Sequence, residues 1–130
     1  MAGIRETLYE TVYDSLKNAH LLGSTATVTA AYIDSPSASF PQVVINPINV
    51  VKDGFVFDRS KNLTDVQLMI DIWTKKNKDK DLLADEIDEV LSSTVFSGLT
   101  MVGWTESNAF PTPGNNKVHL KSVIIDFIKG

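Results

Sequence analysis

The segment that decides the fold is residues 62–93, NLTDVQLMIDIWTKKNKDKDLLADEIDEVLSS. In its first part the side chains alternate between two faces, the period of a strand with one buried side. The predicted core face carries Thr64, Val66, Leu68, Ile70 and Ile72. The other face carries Asp65, Gln67, Met69, Asp71 and Trp73. We therefore predict one long, half-buried strand.

The second part of the segment has the period of an amphipathic helix. A polar run at residues 75–80, which we interpret as a solvated turn, separates it from the strand. Apolar residues then recur at helical spacing, with carboxylates opposite: Leu83, Ile87, Val90 and Leu91. Asp79 or Asp81 is the predicted N-cap of this helix. The helix is expected to fold back onto the apolar face of the strand.

The remaining elements follow from the same periodicities. Residues 4–19 predict an amphipathic opening helix, with Gly23 as its stop signal. Strands are predicted at residues 25–33, 40–48, 99–105 and 118–128, and a surface loop at residues 107–117. Asp53-Gly54 predicts a small hairpin flap at residues 50–58, because both residue types tolerate positive φ. In the last strand the inward parity changes, which predicts either a bulge near Ser122 or burial of both faces.

These elements give an α+β fold in a single domain over residues 1–130. We expect a mainly antiparallel or mixed sheet of about four to five strands. Two helices pack on one face of this sheet, and the small hairpin flap projects from it. The length suffices to bury one core without disulfides.

Composition excludes several classes of function. The net charge of −4 argues against binding of nucleic acid through phosphate neutralisation. The absence of cysteine excludes disulfides, thiolate nucleophiles and Cys-ligated metals. Residues 1–10 contain Arg5, Glu6 and Glu10, and so do not form a signal peptide. No apolar run is long enough for a membrane span, and a soluble protein is expected.

No constellation of residues indicates catalysis or metal binding. His20 and His119 lie far apart and in no ligand-spaced motif. Asp79, Asp81 and Asp85 resemble the start of a calcium loop, but the required glycine and closing glutamate are absent. Nucleophile and phosphate-binding motifs are also missing. The sequence therefore predicts a protein that is not an enzyme and that uses no cofactor or metal.

Protein contacts are the surviving functional hypothesis. Aromatic residues on polar faces or in loops favour interfaces, although coverage of Trp73 by another part of the chain is equally consistent. The candidate interface residues lie at the tip of the flap, on the long strand and in the late loop: Asp53, Gly54, Trp73, Phe110, Pro111 and Pro113.

The order of these elements along the chain resembles that of the tail-terminator (tail-completion) proteins of long-tailed bacteriophages and related viruses. The resemblance rests on the opening helix ETLYETVYDSLKN, the segment FPQVVI, the strand NLTDVQLMIDIW, the acidic helix LLADEIDEVLSS, the strand at residues 99–105 and the closing strand KSVIIDFIK. It covers nearly the whole chain at the level of fold. No catalytic signature accompanies it.

The resemblance implies a structural role in a virion. Such proteins form a ring, usually hexameric, that caps the tail tube, ends its polymerisation and joins the tail to the head-side connector. The implied partners are further copies of the chain, the tail tube protein and the connector or neck protein. DNA is expected to pass through the lumen without specific binding, and no contact with a membrane is expected. The implied location is the neck end of the virion tail, after assembly in the host cytoplasm. Two alternatives remain open: a neck or head-completion connector, or a small ferredoxin-like α+β ligand-binding domain or enzyme.

Overall fold

The computed structural model describes residues 3–33, 38–52, 64–109 and 118–129. The helices are α1 (Ile4–Asn18), α2 (Leu21–Ser24) and α3 (Asn77–Ser92). The strands are β1 (Thr27–Thr29), β2 (Gln42–Ile45), β3 (Asn49–Lys52), β4 (Thr64–Thr74), β5 (Leu99–Ala109) and β6 (His119–Lys129).

The six strands form one mixed sheet with β4 at its centre. The strand order is β1-β2-β4-β6-β5, with β3 also paired to β4. β6 runs antiparallel to β4 along its entire length. On its other side β4 pairs with β3 in its first half and with β2 in its second half. Only the pairing of β1 with β2 is parallel among the strands described. The strand predicted to organise the chain therefore holds the sheet together.

One face of the sheet forms the core. Alternate residues of β4 and β6 are completely buried there: Val66, Leu68, Ile70, Ile72, Val123, Ile125 and Phe127. Both long helices cover this face, α1 through Leu8, Val12 and Leu16, and α3 through Leu83, Ala84, Ile87 and Leu91. Each fully buried aliphatic side chain contributes about 1.5–3 kcal/mol. The predicted α+β architecture, with two helices on one face, is confirmed.

The sheet has six strands rather than four to five because the start of the predicted flap belongs to it. β3 pairs with β4 from Asn49↔Gln67 to Lys52↔Thr64. The predicted flap residues Asp53 and Gly54 lie outside the described residues.

The first two strands are shorter than the sequence predicts. β1 ends at Thr29, where the hydroxyl of Thr29 bonds with both the backbone N–H and the carbonyl of Ala31. Such local side-chain bonds compete with ladder hydrogen bonds and end a strand. β2 occupies only four of the nine predicted residues, between Pro41 and Pro47, since proline has no N–H for the ladder.

α3 begins earlier than predicted. Its first residue is Asn77 and its N-cap is Lys76, with no side-chain capping bond. Neither Asp79 nor Asp81 is the N-cap, and Lys78 and Lys80 lie in the helix rather than in a turn. The hydroxyl of buried Thr74 donates to the carbonyl of Lys76 at 2.8 Å and fixes the entry into the helix. Asp79 instead lies in the first turn, where the helix dipole favours a carboxylate.

The last two strands also differ from the prediction. β5 continues through Ala109, so residues 107–109 are strand and not loop. The bulge lies in β5, between Met101 and Gly103, and not near Ser122 of β6. β6 pairs with β4 without any shift, and its second face is half-buried rather than buried. The parity changes because Lys121 occupies the inward position opposite buried Ile72, where Asp81 and Glu106 pair its charge.

A left-handed turn, which includes the short α2, connects α1 to the sheet. α1 ends at Asn18, and the following residues His20, Leu22, Gly23 and Ser24 all have φ between 50° and 73°. The N–H of Leu22 donates to Glu86 Oε2 on α3 at 2.9 Å and holds the turn in place. The predicted stop residue, Gly23, lies within this turn.

Replacing Gly23 by alanine is expected to destabilise the protein by about 1–2 kcal/mol, because a Cβ disfavours the left-handed conformation. A Cβ at this position would meet no other part of the described chain within 4 Å, so crowding adds nothing. Thermal unfolding measures the change. Gly23→Asn is the control, since asparagine tolerates positive φ. Equal losses in the two variants would contradict the conformational explanation.

Candidate interaction surfaces

The sheet face opposite the helices is the first candidate surface, and we call it the open face. It carries the second parity of β4 and β6: Asp65, Gln67, Met69, Asp71 and Trp73 with Leu120, Ser122, Ile124, Asp126 and Ile128. Nearly all of these side chains are half-buried, and Asp65 is exposed. Within the described ranges, both long helices pack on the other side of the sheet.

Hydrogen bonds fix two of the three acidic groups of the open face. Asp71 accepts bonds from Ser122 Oγ at 2.7 Å and from Asn46 Nδ2 at 3.0 Å. Asp126 accepts a bond from Gln67 Nε2 at 3.2 Å. Apolar Met69 and Ile124 lie directly opposite each other between these groups. A surface of apolar and hydrogen-bonded polar groups is compatible with protein contact, since interfaces combine both kinds of group.

Trp73, the one predicted interface residue that is described, lies at the end of the open face. Its ring stacks on Tyr32 with a centroid distance of 4.1 Å, and Phe40 lies next to Tyr32. Buried Gln42 fixes the backbone next to Tyr32: its side-chain amide bonds to the N–H and to the carbonyl of Ile33, each at 2.9 Å. Trp73 is therefore half-buried against its own chain. Its role in an interface stays a prediction.

The other predicted interface residues are outside the described parts of the chain. They are Asp53 and Gly54 in the expected flap, and Phe110, Pro111 and Pro113 in the expected loop. Their assignment to an interface also stays a prediction.

A charged cluster that sequence reasoning missed joins three elements at the edge of the core. Lys121 Nζ of β6 lies 2.7 Å from Asp81 Oδ1 of α3 and 3.1 Å from Glu106 Oε1 of β5. Trp104 Nε1 donates to the second oxygen of Glu106 at 2.8 Å. The Lys121 side chain is only 12% exposed, so its charge depends on these partners. The signal in the sequence is a lysine on the same parity as the buried Val123, Ile125 and Phe127.

The cluster shifts the pKa values of its members. The hydrogen bond from Lys121 lowers the pKa of Asp81. The bond from Trp104, with a further contribution from Lys121, lowers the pKa of Glu106. In turn, the bond to Asp81 raises the pKa of Lys121, and Glu106 adds to this. All three groups are therefore ionised at neutral pH, and their ion pairs connect α3, β5 and β6.

α3 is the second candidate surface, because it carries the charge imbalance of the chain. It contains two lysines and six carboxylates, and this difference of −4 equals the net charge of the whole protein. Its outward side chains include Lys78, Asp85, Asp88 and Glu89, together with Leu82, which is 48% exposed. Such an unevenly charged face is suited to electrostatic recognition.

Other features of the described residues do not define a chemical site. They contain no group of three or more His, Cys, Asp or Glu side chains placed to hold a metal ion. A groove of about 340 Å³ beside α1 includes His20 and Ser24, whose Nδ1 and Oγ atoms are 2.9 Å apart, both on exposed residues. Within the same ranges, no helix has the length and apolar character needed to cross a membrane.

Comparison with known proteins identifies a structural relative but no sequence family. No protein-family model matches the chain, and no curated protein gives a significant match. Among solved structures, the fold is similar to a chain in the virion of a native gene transfer agent particle. The TM-score is 0.60 at 17% sequence identity, and the match covers 95% of each chain. The chain thus has, over nearly its full length, the fold of a component of that virion.

Proposed function

We propose that this chain is a structural virion protein and, more specifically, a tail terminator. In this role, copies of the chain form a ring that caps the tail tube, ends its polymerisation and joins the tail to the head-side connector. The observation that carries the proposal is the end-to-end fold similarity to a component of a gene transfer agent virion. The resemblance of the element order to tail terminators supplies the finer assignment.

The surfaces of the molecule support an assembly role. A closed ring needs two different patches on each copy, which meet head to tail. The outer face of α3 is charged, with lysines towards one end and carboxylates towards the other, and so offers two such patches; the open face, on the other side of the sheet, is mixed apolar and polar. In this role the protein is not an enzyme. Its partners are its own copies, the tail tube protein and the connector, and its place is the neck end of the tail.

Solution mass and imaging test the proposal. Light scattering over a concentration series, combined with negative-stain images, is expected to show closed rings of about six copies, either alone or once tail tubes are added. Rings are expected at one end of each tube, and tubes grown with the protein present are expected to stop lengthening. A monomer at every concentration that ignores tubes would contradict the proposal. Rings that bind connectors but leave tube growth unchanged would favour the neck-protein alternative.

A further inference from the structure

Apart from Asp79 in the first turn, most charges near the ends of α3 are arranged against the field of the helix itself. Around its N-terminus four lysines, at positions 75, 76, 78 and 80, outnumber Asp79 and Asp81. We call Lys75, Lys76 and Lys78 the basic pole. Carboxylates occupy its C-terminal half: Asp85, Asp88 and Glu89, which we call the acidic pole. The last turn contains no basic residue. A helix dipole favours the opposite arrangement, with acids first and bases last.

Spacing along the helix adds to this disadvantage. Asp81, Asp85 and Glu89 follow one another at i, i+4 intervals, where like charges repel. Within the described part of the chain, the residues of both poles form no ion pair. Lys75 Nζ lies 5.5 Å from the centroid of the Phe40 ring and Asp88 accepts a bond from Ser92, but neither contact neutralises a charge. The pattern therefore indicates a role outside the monomer.

One member of the basic pole and two members of the acidic pole lie on one accessible side of α3. Lys78, Leu82, Asp85 and Glu89 follow the spacing of a single stripe, and all four are exposed. Lys78 and Glu89 are about 16 Å apart along the axis at 1.5 Å per residue. Leu82 lies between the poles, with 48% of its surface exposed. The stripe therefore offers neighbouring chains a positive end and a negative end, separated by an apolar side chain.

We propose that this stripe is the contact between neighbouring copies of the chain, with the basic pole of one copy against the acidic pole of the next. A second copy fits because each molecule offers an excess of lysines over acids at one end of α3 and carboxylates without any lysine at the other. Such a contact is head to tail and leaves one pole free for the next copy, as a ring requires. The inference rests on the proposed function and identifies the surface through which the ring closes.

Two charge-reversed variants test the contact. The basic-pole variant is Lys76→Glu with Lys78→Glu, and the acidic-pole variant is Asp85→Lys with Glu89→Lys. Each alone places like charges at the contact, so the concentration for half-assembly is expected to rise about tenfold or more. An equimolar mixture of the two is expected to restore rings of wild-type mass, because all-acidic and all-basic copies alternate. Assembly of wild type is expected to weaken in about 1 M salt, where screening is short-ranged.

Monomer stability shows whether the variants fold. Both changes place charges as the helix dipole prefers, so the melting temperature of each variant is expected to equal or exceed that of wild type. Glu10→Lys with Asp14→Lys, two exposed acids of α1, is the matched control for the acidic-pole variant and is expected to assemble normally.

The outcomes separate the inference from the proposed function. If wild type forms rings and each pole variant alone also forms rings, the proposed contact is wrong, but the proposed ring function is unaffected. A mixture that yields only two-chain particles would overturn the head-to-tail geometry. Loss of assembly in the α1 control would overturn the contact by showing that net charge, and not the poles, controls assembly. Wild type that is monomeric with and without tubes would overturn both.

Discussion

Replacing Phe127 by alanine is expected to lower the free energy of unfolding by about 3–5 kcal/mol. Phe127 lies near the end of β6 on the core face and is completely buried. It pairs across the sheet with Val66 and Met101, and its ring meets the edge of Phe96 at a centroid distance of 4.9 Å. Truncation removes apolar burial and leaves a cavity between two strands. Chemical denaturation with urea measures the loss.

Ile128→Ala is the matched control for this experiment. Ile128 is the next residue of β6 but points to the open face, where it is half-buried. A loss of about 1 kcal/mol is expected for a partly exposed side chain. Similar losses in the two variants would show that the open face is as tightly covered as the core face. Small domains have only about 5–15 kcal/mol of stability, so the Phe127 variant is the one expected to fail in assembly through unfolding.

Replacing Lys121 by methionine is expected to cost about 1–2 kcal/mol near pH 7. The change leaves Asp81 and Glu106 without their shared counter-charge at the junction of α3, β5 and β6. The expected loss is modest because the Asp81 side chain is 59% exposed and water screens its interaction. Lys129→Met, at the exposed end of the same strand, is the control and is expected to be nearly neutral.

The pH dependence of the Lys121 variant identifies the cause. The lowered pKa values of Asp81 and Glu106 stabilise the native state above the unfolded carboxyl range. That contribution is lost as pH falls through the folded values. The raised pKa of Lys121 contributes stability that is lost only in strong alkali, as pH rises through its folded value. The difference between wild type and variant is therefore expected to shrink below about pH 4. A constant difference from neutral pH into strong acid would show that packing, not charge, is responsible.

The proposed assembly function depends on two parts of the molecule: the buried core, which keeps the chain folded, and the exposed poles of α3, which contact other copies. The core carried by β4, β6 and the helices gives a rigid body that tolerates surface changes. The pole residues of α3 contribute nothing to that core, and their arrangement opposes the helix dipole. Variants of Phe127 are expected to act through folding, whereas pole variants are expected to act through assembly alone. Measuring both unfolding and solution mass for each variant separates these effects.

The sequence alone is sufficient for the α+β class, the central strand and the two long helices. Strict alternation in β4 and the apolar stripes of α1 and α3 are local patterns, and burial of one face follows directly from them. Boundaries are less predictable. β1 ends early because of the bonds of the Thr29 hydroxyl, and α3 begins before Asp79 with no capping side chain. Both depend on single hydrogen bonds or contacts that periodicity does not encode.

Only the tertiary structure places the candidate surfaces. Lys121 meets Asp81 and Glu106, which lie 40 and 15 residues earlier in the sequence, because three elements converge at the end of the sheet. Trp73 is half-buried because Gln42 binds the backbone of Ile33 and so holds the neighbouring Tyr32 against it. The sequence pattern assigns the lysines of residues 75–80 to a turn. In the structure α3 includes or adjoins them, and this places them at the opposite end of the helix from the carboxylates of its C-terminal half. Local periodicity determines which faces are buried, whereas the packing of distant segments decides which charges and rings come together.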